Sequence, residues 1–467
     1  MESLRQTLIG VYASTERRGH TVRRVLFHTV RFAIFLLLVV AAVALARGNS
    51  ARKAVLLAAS YIFYMQWSVV LLLPLLVTTV LDYFVALAID RSADVARRRT
   101  LLAFSLTANL GMLAWFKYAG FFASLAGASL SFSVLLPVGI SFYTFHTMSY
   151  TIDVYRRELA PCRSPLDFAL FITFFPVLVA GPILRAKQFL PQLRERIALQ
   201  LSPPIVLLFA RGLAKKVLIA DNVAPFVDGV FADPGSYPSA LVWLATIAFA
   251  VQIYGDFSGY SDMARALAAL FGFEIPRNFE HPYVASNPRE FWQRWHISLS
   301  TWLRDYLYLP LGGRNHRIRN VLITMLLGGL WHGASWNFVL WGAIHGVLLI
   351  GHRFIRGIVF AYLLLLTWIV FRVRDSATLV VALRKFVLFD FDFHLGGSGI
   401  TGLFAITAML AVTLFAMLHV WAARRGELDV RLAQLPMPAL LAFAVIAGAL
   451  FALFWPSAQT PFLYFQF

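Results

Sequence analysis

The sequence predicts an all-α, polytopic membrane protein, and three observations predict it. Of its 467 residues, 60% are hydrophobic and 14% charged, whereas a soluble domain carries about a quarter charged residues. Mean hydropathy is +0.72. Apolar runs recur along the whole chain at roughly the ~20 residues a helix needs to cross a ~30 Å hydrocarbon layer, and such runs satisfy their backbone in lipid only as helices.

Taken in order, the candidate spans are 29–46, 53–66, 67–88, 101–117, 134–152, 167–184, 203–220, 238–255, 259–272, 321–350 (one or two pieces), 355–372, 401–421 and 438–456. Several are short or carry Pro and Gly, so about 10–12 transmembrane helices with re-entrant pieces are expected. Residues 1–28 read as a basic cytoplasmic extension. The apolar run that follows lacks a small-residue cleavage site and reads as a first span. Residues 29–467 then form one integral-membrane domain, with most of its unusual polar residues in 134–350.

The net charge of +18 does not point to nucleic acid. The basic residues cluster in short connections: Arg17, Arg18, Arg23 and Arg24; Arg91 with Arg97, Arg98 and Arg99; Arg314, Arg317 and Arg319. This is the pattern that keeps Lys and Arg cytoplasmic and so sets topology. The single cysteine, Cys162, excludes an intrachain disulfide and a thiol-based metal site. Its polar, Arg-flanked loop leaves a nucleophilic or lipidated thiol open.

The long polar connection from Glu274 to Asn320 is ordered by its own sequence. Asn287 reads as an N-cap, Pro288 as the first helical residue and Glu290 as its capping partner. Trp292, Trp295, His296, Leu299, Trp302, Leu303 and Tyr306 then recur at helical spacing. One basic, Trp-rich amphipathic helix lying in the interface is the expectation, with His296 on its apolar face. The C-terminal Phe462–Phe467 segment, rich in aromatic residues, suits the same interface.

His332 is the most informative residue. It stands in an apolar stretch, Val321–Ile350, flanked by Gly328, Gly329 and Gly333. Ionisable groups at bilayer depth need a partner, a cavity or a task, and a broken helix there must be buried or line a cavity. A neutral imidazole can take a proton from a hydroxyl during attack on an acyl carbonyl and return it to the leaving group. Trp331 and Trp336 would wall such a site. The competing reading is a histidine hydrogen-bonded to backbone at a helix break.

Beside Trp331, three further residues are weighed as supporting candidates, and Lys117 is not among them. Asp256, within Tyr254–Asp262, is expected in a glycine-interrupted, re-entrant turn. Asp305 lies nine positions after His296 and would face away from it on an unbroken helix, pairing with Arg304 or Arg289. His146 sits on a hydroxyl-bearing segment that could line the same cavity. Lys117 reads as a snorkelling side chain at a span end.

Of the eleven histidines, His332, His345 and His352 lie in one region, but no His-Glu-x-x-His pattern is present and catalytic zinc takes three protein ligands. No metal is expected. There is no phosphate-cradling glycine motif and no Gly-x-Ser-x-Gly elbow.

At these residues the chain resembles the membrane-bound O-acyltransferases, most closely the bacterial branch that acetylates alginate or D-alanylates teichoic acid. The matching stretches include Phe116-Lys-Tyr118, Leu136–Phe145 with Tyr150–Tyr155, Ala180–Ile183 and Asp256–Asp262. They continue through Asn278-Phe, Phe291–Ser300, Trp302–Pro310 and Gly329–Ser335. The resemblance implies a helical bundle with a central tunnel, His332 as catalytic histidine at its constriction, and His296 as second functional histidine on the cytoplasmic side. It implies no bound cofactor, acetyl-CoA or another acyl thioester as donor, and a multi-pass protein of the bacterial inner membrane. The acceptor would be an exported polysaccharide such as alginate, reached directly or through a periplasmic acetyltransferase partner. A transporter of the glycan or of the acyl donor is the alternative, because broken helices and mid-membrane polar residues mark transporters too.

Overall fold

A computed structural model describes residues 27–128, 135–392, 399–456 and 462–463. The predicted extension therefore lies almost wholly outside the described residues. Among those described, the chain is helical and contains no strand.

The first helices are α1, Val30–Leu45, α2, Asn49–Met65, α3, Leu72–Arg91, and α4, Val95–Leu113. Their starts are sequence-coded where a short polar side chain can accept from a free backbone N–H. Thr29 accepts from Phe32 in α1, and Asp94 accepts from Ala96 in α4. Helix α4 passes through a π-helical turn, Ala114–Tyr118, into α5, Ala119–Leu125. Next come α6, Ile140–Tyr155, and α7, Pro165–Thr173. The predicted span 167–184 does not exist as one helix: α7 stops at Thr173, and the buried chain beyond it forms only a four-residue helical turn before Gly181 and Pro182.

Helix α8, Pro203–Ala214, runs through a second π-helical turn, Lys215–Ala220, into α9, Asp221–Ala232. Helix α10, Ser239–Leu270, is one 32-residue helix, which corrects the reading of two spans, 238–255 and 259–272, with a re-entrant turn between them. The glycines taken as breakers serve close approach instead. A Cβ on Gly259 would lie 2.6 Å from the Gly212 carbonyl oxygen, and one on Gly255 would lie 3.0 Å from that of Lys215.

The amphipathic segment is two helices, not one: α11, Pro288–Arg294, and α12, Ile297–Leu303, the latter continuing through a π-helical turn, Arg304–Tyr308. The hairpin α13, Arg317–His332, and α14, Trp336–Ile350, follows, then α15, Gly357–Arg372, α16, Ser376–Val387, α17, Gly399–Arg425, and α18, Met437–Leu453. By length and composition α3, α10 and α17 can each cross a membrane unaided, while α1, α14, α15 and α18 are apolar but shorter. Outward-facing apolar side chains such as Leu37, Phe84, Leu410 and Val445 are exposed, as expected of surfaces that meet lipid.

The interior holds two aromatic-rich clusters. One gathers Phe63, Phe175, Phe257, Trp302 and Trp331; the other gathers Phe291, Trp295, Trp341, Trp368 and Phe371. The tail residues Phe462 and Leu463 belong inside, not at an interface: both are buried, and the Leu463 N–H donates to Asp256 Oδ2 at 2.8 Å. That bond satisfies the buried Leu463 N–H, and the rest of the segment, 464–467, lies outside the described residues.

Candidate active site

The two candidate histidines lie where these apolar clusters meet. His332 is the last residue of α13, and α13 runs unbroken through Gly328 and Gly329. The chain stops being helical after the histidine, at an extended Gly333, and restarts where Ser335 accepts from the Asn337 N–H to cap α14. The glycines before His332 therefore do not break the helix; Gly329 lets α14 approach, and Gly328 faces Leu303 of α12, whose Cδ1 would lie 3.2 Å from an added Cβ. A Cβ on Gly329 would lie 2.2 Å from the Phe338 carbonyl oxygen, and one on Gly342 would lie 2.2 Å from that of Met325.

His332 is nearly wholly buried. Its Nδ1 lies 2.7 Å from the Gly328 carbonyl oxygen, one turn back on its own helix. A carbonyl can only accept, so Nδ1 carries the proton and Nε2 carries the lone pair. The ring contacts Trp331, Trp341 and Phe371 with centroids 5.1, 5.0 and 5.5 Å away. The backbone-bonded histidine and the basic histidine, posed as competing readings, are thus compatible: one nitrogen makes the bond and the other remains basic.

His296 is fully buried and stands in the break between α11 and α12, with φ of +43°. That left-handed conformation corrects the continuous-helix expectation. A non-glycine residue held there costs of order 1–3 kcal/mol and persists only where the surroundings impose it. Here they do: the Trp295 N–H returns to the Phe291 carbonyl, and the Ile297 N–H donates to the Asn278 carbonyl. The His296 Nδ1 lies 3.1 Å from Asn278 Oδ1. The same oxygen accepts from Ser298 N at 3.2 Å and Ser298 Oγ at 2.8 Å. An oxygen that takes three donors cannot be an amide NH2, so His296 Nδ1 is also the protonated nitrogen.

Trp331 joins the two imidazoles. Its ring lies 5.9 Å from that of His296 and 5.1 Å from that of His332, with Phe142 and Phe145 on it as well. Trp336 does not wall this site: it is 60% exposed and packs on Phe121. Trp341 takes that place, between His332 and His345. His345 is fully buried, 4.5 Å from Trp341, and its Nδ1 lies 3.3 Å from the Trp292 Nε1 donor.

Of the supporting candidates Trp331 alone stays with the histidines, and the other three go elsewhere. Asp256 lies mid-helix, 2.7 Å from Lys216 Nζ, which also holds Asp221 at 2.7 Å. Asp305 pairs with Arg304 and Arg185, each at 2.6 Å. Partial burial pushes the Asp305 carboxyl up, but these two guanidinium groups outweigh it and hold it below the usual carboxylate range. Arg304 was an anticipated partner; Arg185 was not. His146 is fully buried, accepts from the Leu184 N–H at Nε2, 3.0 Å, and packs on Phe171. Cys162 Sγ sits 3.3 Å from the Ser164 carbonyl, and burial pushes its thiol up, which disfavours a nucleophilic thiolate.

Lys117 is the largest departure from expectation. Its Nζ does not snorkel outward but reaches the carbonyl oxygens of Trp331 at 2.6 Å and His332 at 3.1 Å, and Ser141 Oγ at 3.3 Å. Its neighbour Tyr118 donates to the Leu330 carbonyl at 2.8 Å. Among the described residues, no group of three or more His, Cys, Asp or Glu side chains could hold a metal ion.

A family match spans both histidines. The membrane-bound O-acyltransferase family matches residues 61–365. The chain is 41% identical over 403 residues to the probable alginate O-acetylase of Azotobacter vinelandii, covering 78% of this chain and 79% of the relative. It is 37% identical over 472 residues to the probable alginate O-acetylase of Pseudomonas putida, covering 90% and 95%. It is 36% identical over 387 residues to the peptidoglycan O-acetyltransferase of Helicobacter pylori, covering 71% and 73%. With a helical bundle, membrane-length apolar helices and a family match across the histidine pair, this chain belongs to the membrane-bound O-acyltransferase family and is a multi-pass membrane acyltransferase.

Proposed function

We propose that the chain transfers an acetyl group from acetyl-CoA or another cytoplasmic acyl thioester toward an exported polysaccharide, of which an alginate-type polymer is the best candidate. His332 serves as general base and His296 as the second functional histidine. The working compartment is the bacterial inner membrane, and the acceptor is reached either directly or through a periplasmic acetyltransferase partner. Residues 29–467 act as one acyltransferase domain behind a basic cytoplasmic extension, 1–28.

The observation that carries this reading is the tautomer of His332. Its Nδ1–H is committed to the Gly328 carbonyl, so Nε2 is the nitrogen whose lone pair can take a proton from an attacking hydroxyl. Around it Trp331, Trp341 and Phe371 supply an apolar wall. Acyl transfer profits from such a wall, because water would otherwise compete for the activated acyl carbon. Similarity to enzymes whose names specify alginate and peptidoglycan O-acetylation supports acetyl as the group and a glycan as the acceptor. The family match leaves the transporter alternative without support.

The test is the His332→Ala variant expressed in cells lacking the native protein, with acetyl content of the exported polymer measured. General base action contributes ~10²- to 10⁴-fold, so acetylation falls to background while membrane expression and polymer export persist. Full acetylation by this variant overturns the assignment. Loss of export with normal acetylation of the polymer that emerges favours transport instead.

A further inference from the structure

We propose that Lys117 is a positioning residue for the acyl-transfer site, its ammonium group taking the place of water at the end of the helix that carries His332. This rests on the reading of His332 given above.

The last carbonyls of any α-helix lack intrahelical donors. In α13 these carbonyls include those of Leu330, Trp331 and His332, the last being the proposed base itself. Ordinarily water would satisfy them. Here Tyr118 Oη takes the Leu330 carbonyl at 2.8 Å, and Lys117 Nζ takes those of Trp331 and His332 at 2.6 and 3.1 Å. The third ammonium proton has Ser141 Oγ at 3.3 Å. An ammonium has three donors and no acceptor, so three oxygens within reach use all of them.

Two features make this more than a helix cap. The donors are consecutive residues, and both belong to the π-helical turn Ala114–Tyr118. Single π-turns inside helices recur at functional sites. Lys117 Nζ also stands 5.8 Å over the Trp331 ring, the ring that contacts both histidines. A cation at a helix C-terminus is favoured by the helix dipole. A direct charge-assisted bond to each carbonyl leaves no need for water within reach of the activated acyl group.

The consequence is a partition. With Lys117 replaced by an apolar side chain, the Trp331 and His332 carbonyls recruit water. That water attacks the thioester carbonyl and releases acetate and free thiol in competition with transfer to the acceptor hydroxyl. Lys117→Met, Lys117→Gln and Lys117→Arg, in full-length protein reconstituted in lipid nanodiscs with acetyl-CoA and a glycan oligomer, test this. Free thiol reports total turnover and acetylated oligomer reports transfer.

For Lys117→Met the expected result is a kcat at least tenfold lower with KM within twofold, and a several-fold larger hydrolysed share. Arg, which can donate to both carbonyls, restores at least half of the transfer; Gln restores less. An unchanged kcat and hydrolysed share in Lys117→Met overturns the inference. So does loss that only tracks the amount of folded protein, with no better performance from Arg. His332→Ala separates the two layers: full transfer by that variant sinks the functional reading, whereas an inert His332→Ala beside a normal Lys117→Met sinks only the role of Lys117.

Discussion

Asn278 and His296 form one unit: the carboxamide oxygen lies 3.1 Å from the imidazole Nδ1 while it also accepts from the backbone and hydroxyl of Ser298. The carboxamide thereby sets which imidazole nitrogen carries the proton and holds a left-handed residue between two helices. Asn278→Ala removes the acceptor without touching His296. Small misplacements of reacting groups cost ~10²-fold, and kcat for acetyl transfer is expected to fall by about that factor. Asn278→Asp, which keeps an acceptor oxygen, recovers most of it. Normal kcat in Asn278→Ala would show that the orientation of His296 does not matter to turnover.

The Lys216, Asp221 and Asp256 triad is the second prediction. All three are buried, and Lys216 bonds one oxygen of each carboxylate at 2.7 Å. Removing one member of a buried ion pair costs ~3–5 kcal/mol, whereas removing all charge together is often neutral. Lys216→Met should therefore unfold at much lower temperature in detergent, and Lys216→Met combined with Asp221→Asn and Asp256→Asn should recover much of the loss. Equal stability of the single and triple variants would contradict a structural role. Activity per folded molecule in Asp256→Asn is expected to stay near that of the unsubstituted protein, which separates Asp256 from the chemistry.

The third prediction concerns acid. Glu427 lies 3.4 Å from His281 Nε2 and 2.8 Å from Arg211 Nη1. Burial pushes its carboxyl up, but His281, Arg211 and Lys215 outweigh that and hold it down at about 2. A depressed folded value means that the stabilisation is complete above the unfolded value, ~4.3. It is lost as pH falls from there toward the folded value. Melting temperatures between pH 5 and 3 should drop further for the unsubstituted protein than for Glu427→Gln, which lacks the titrating group. Parallel curves for the two would rule the linkage out.

Much of the site was legible in the linear chain because its signals are local. The His332 position in an apolar, glycine-flanked run declares an imidazole that needs a partner, and Asn287 and Pro288 declare a helix start, which the Glu290 N–H bond to Asn287 Oδ1 at 3.0 Å bears out. Glycine was the ambiguous letter. Gly255, Gly259 and Gly329 look like breakers in a list of residues, but beside another helix they are places where backbones touch. Nothing in a single chain distinguishes the two uses, because the difference is who the neighbour is.

That this protein is a helical membrane acyltransferase with a histidine in its apolar interior can be read from the linear chain, since hydropathy, caps and motif order act over a few residues to a few turns. Which residues surround that histidine is settled by packing. Lys117 lies 215 positions from His332, yet its ammonium holds the carbonyl of that residue. Asn278 lies 18 positions from His296, but it reaches the imidazole only because the helix breaks there. Hydrogen-bond partners are chosen by the distance between atoms after packing, and that distance is not written in the order of the residues.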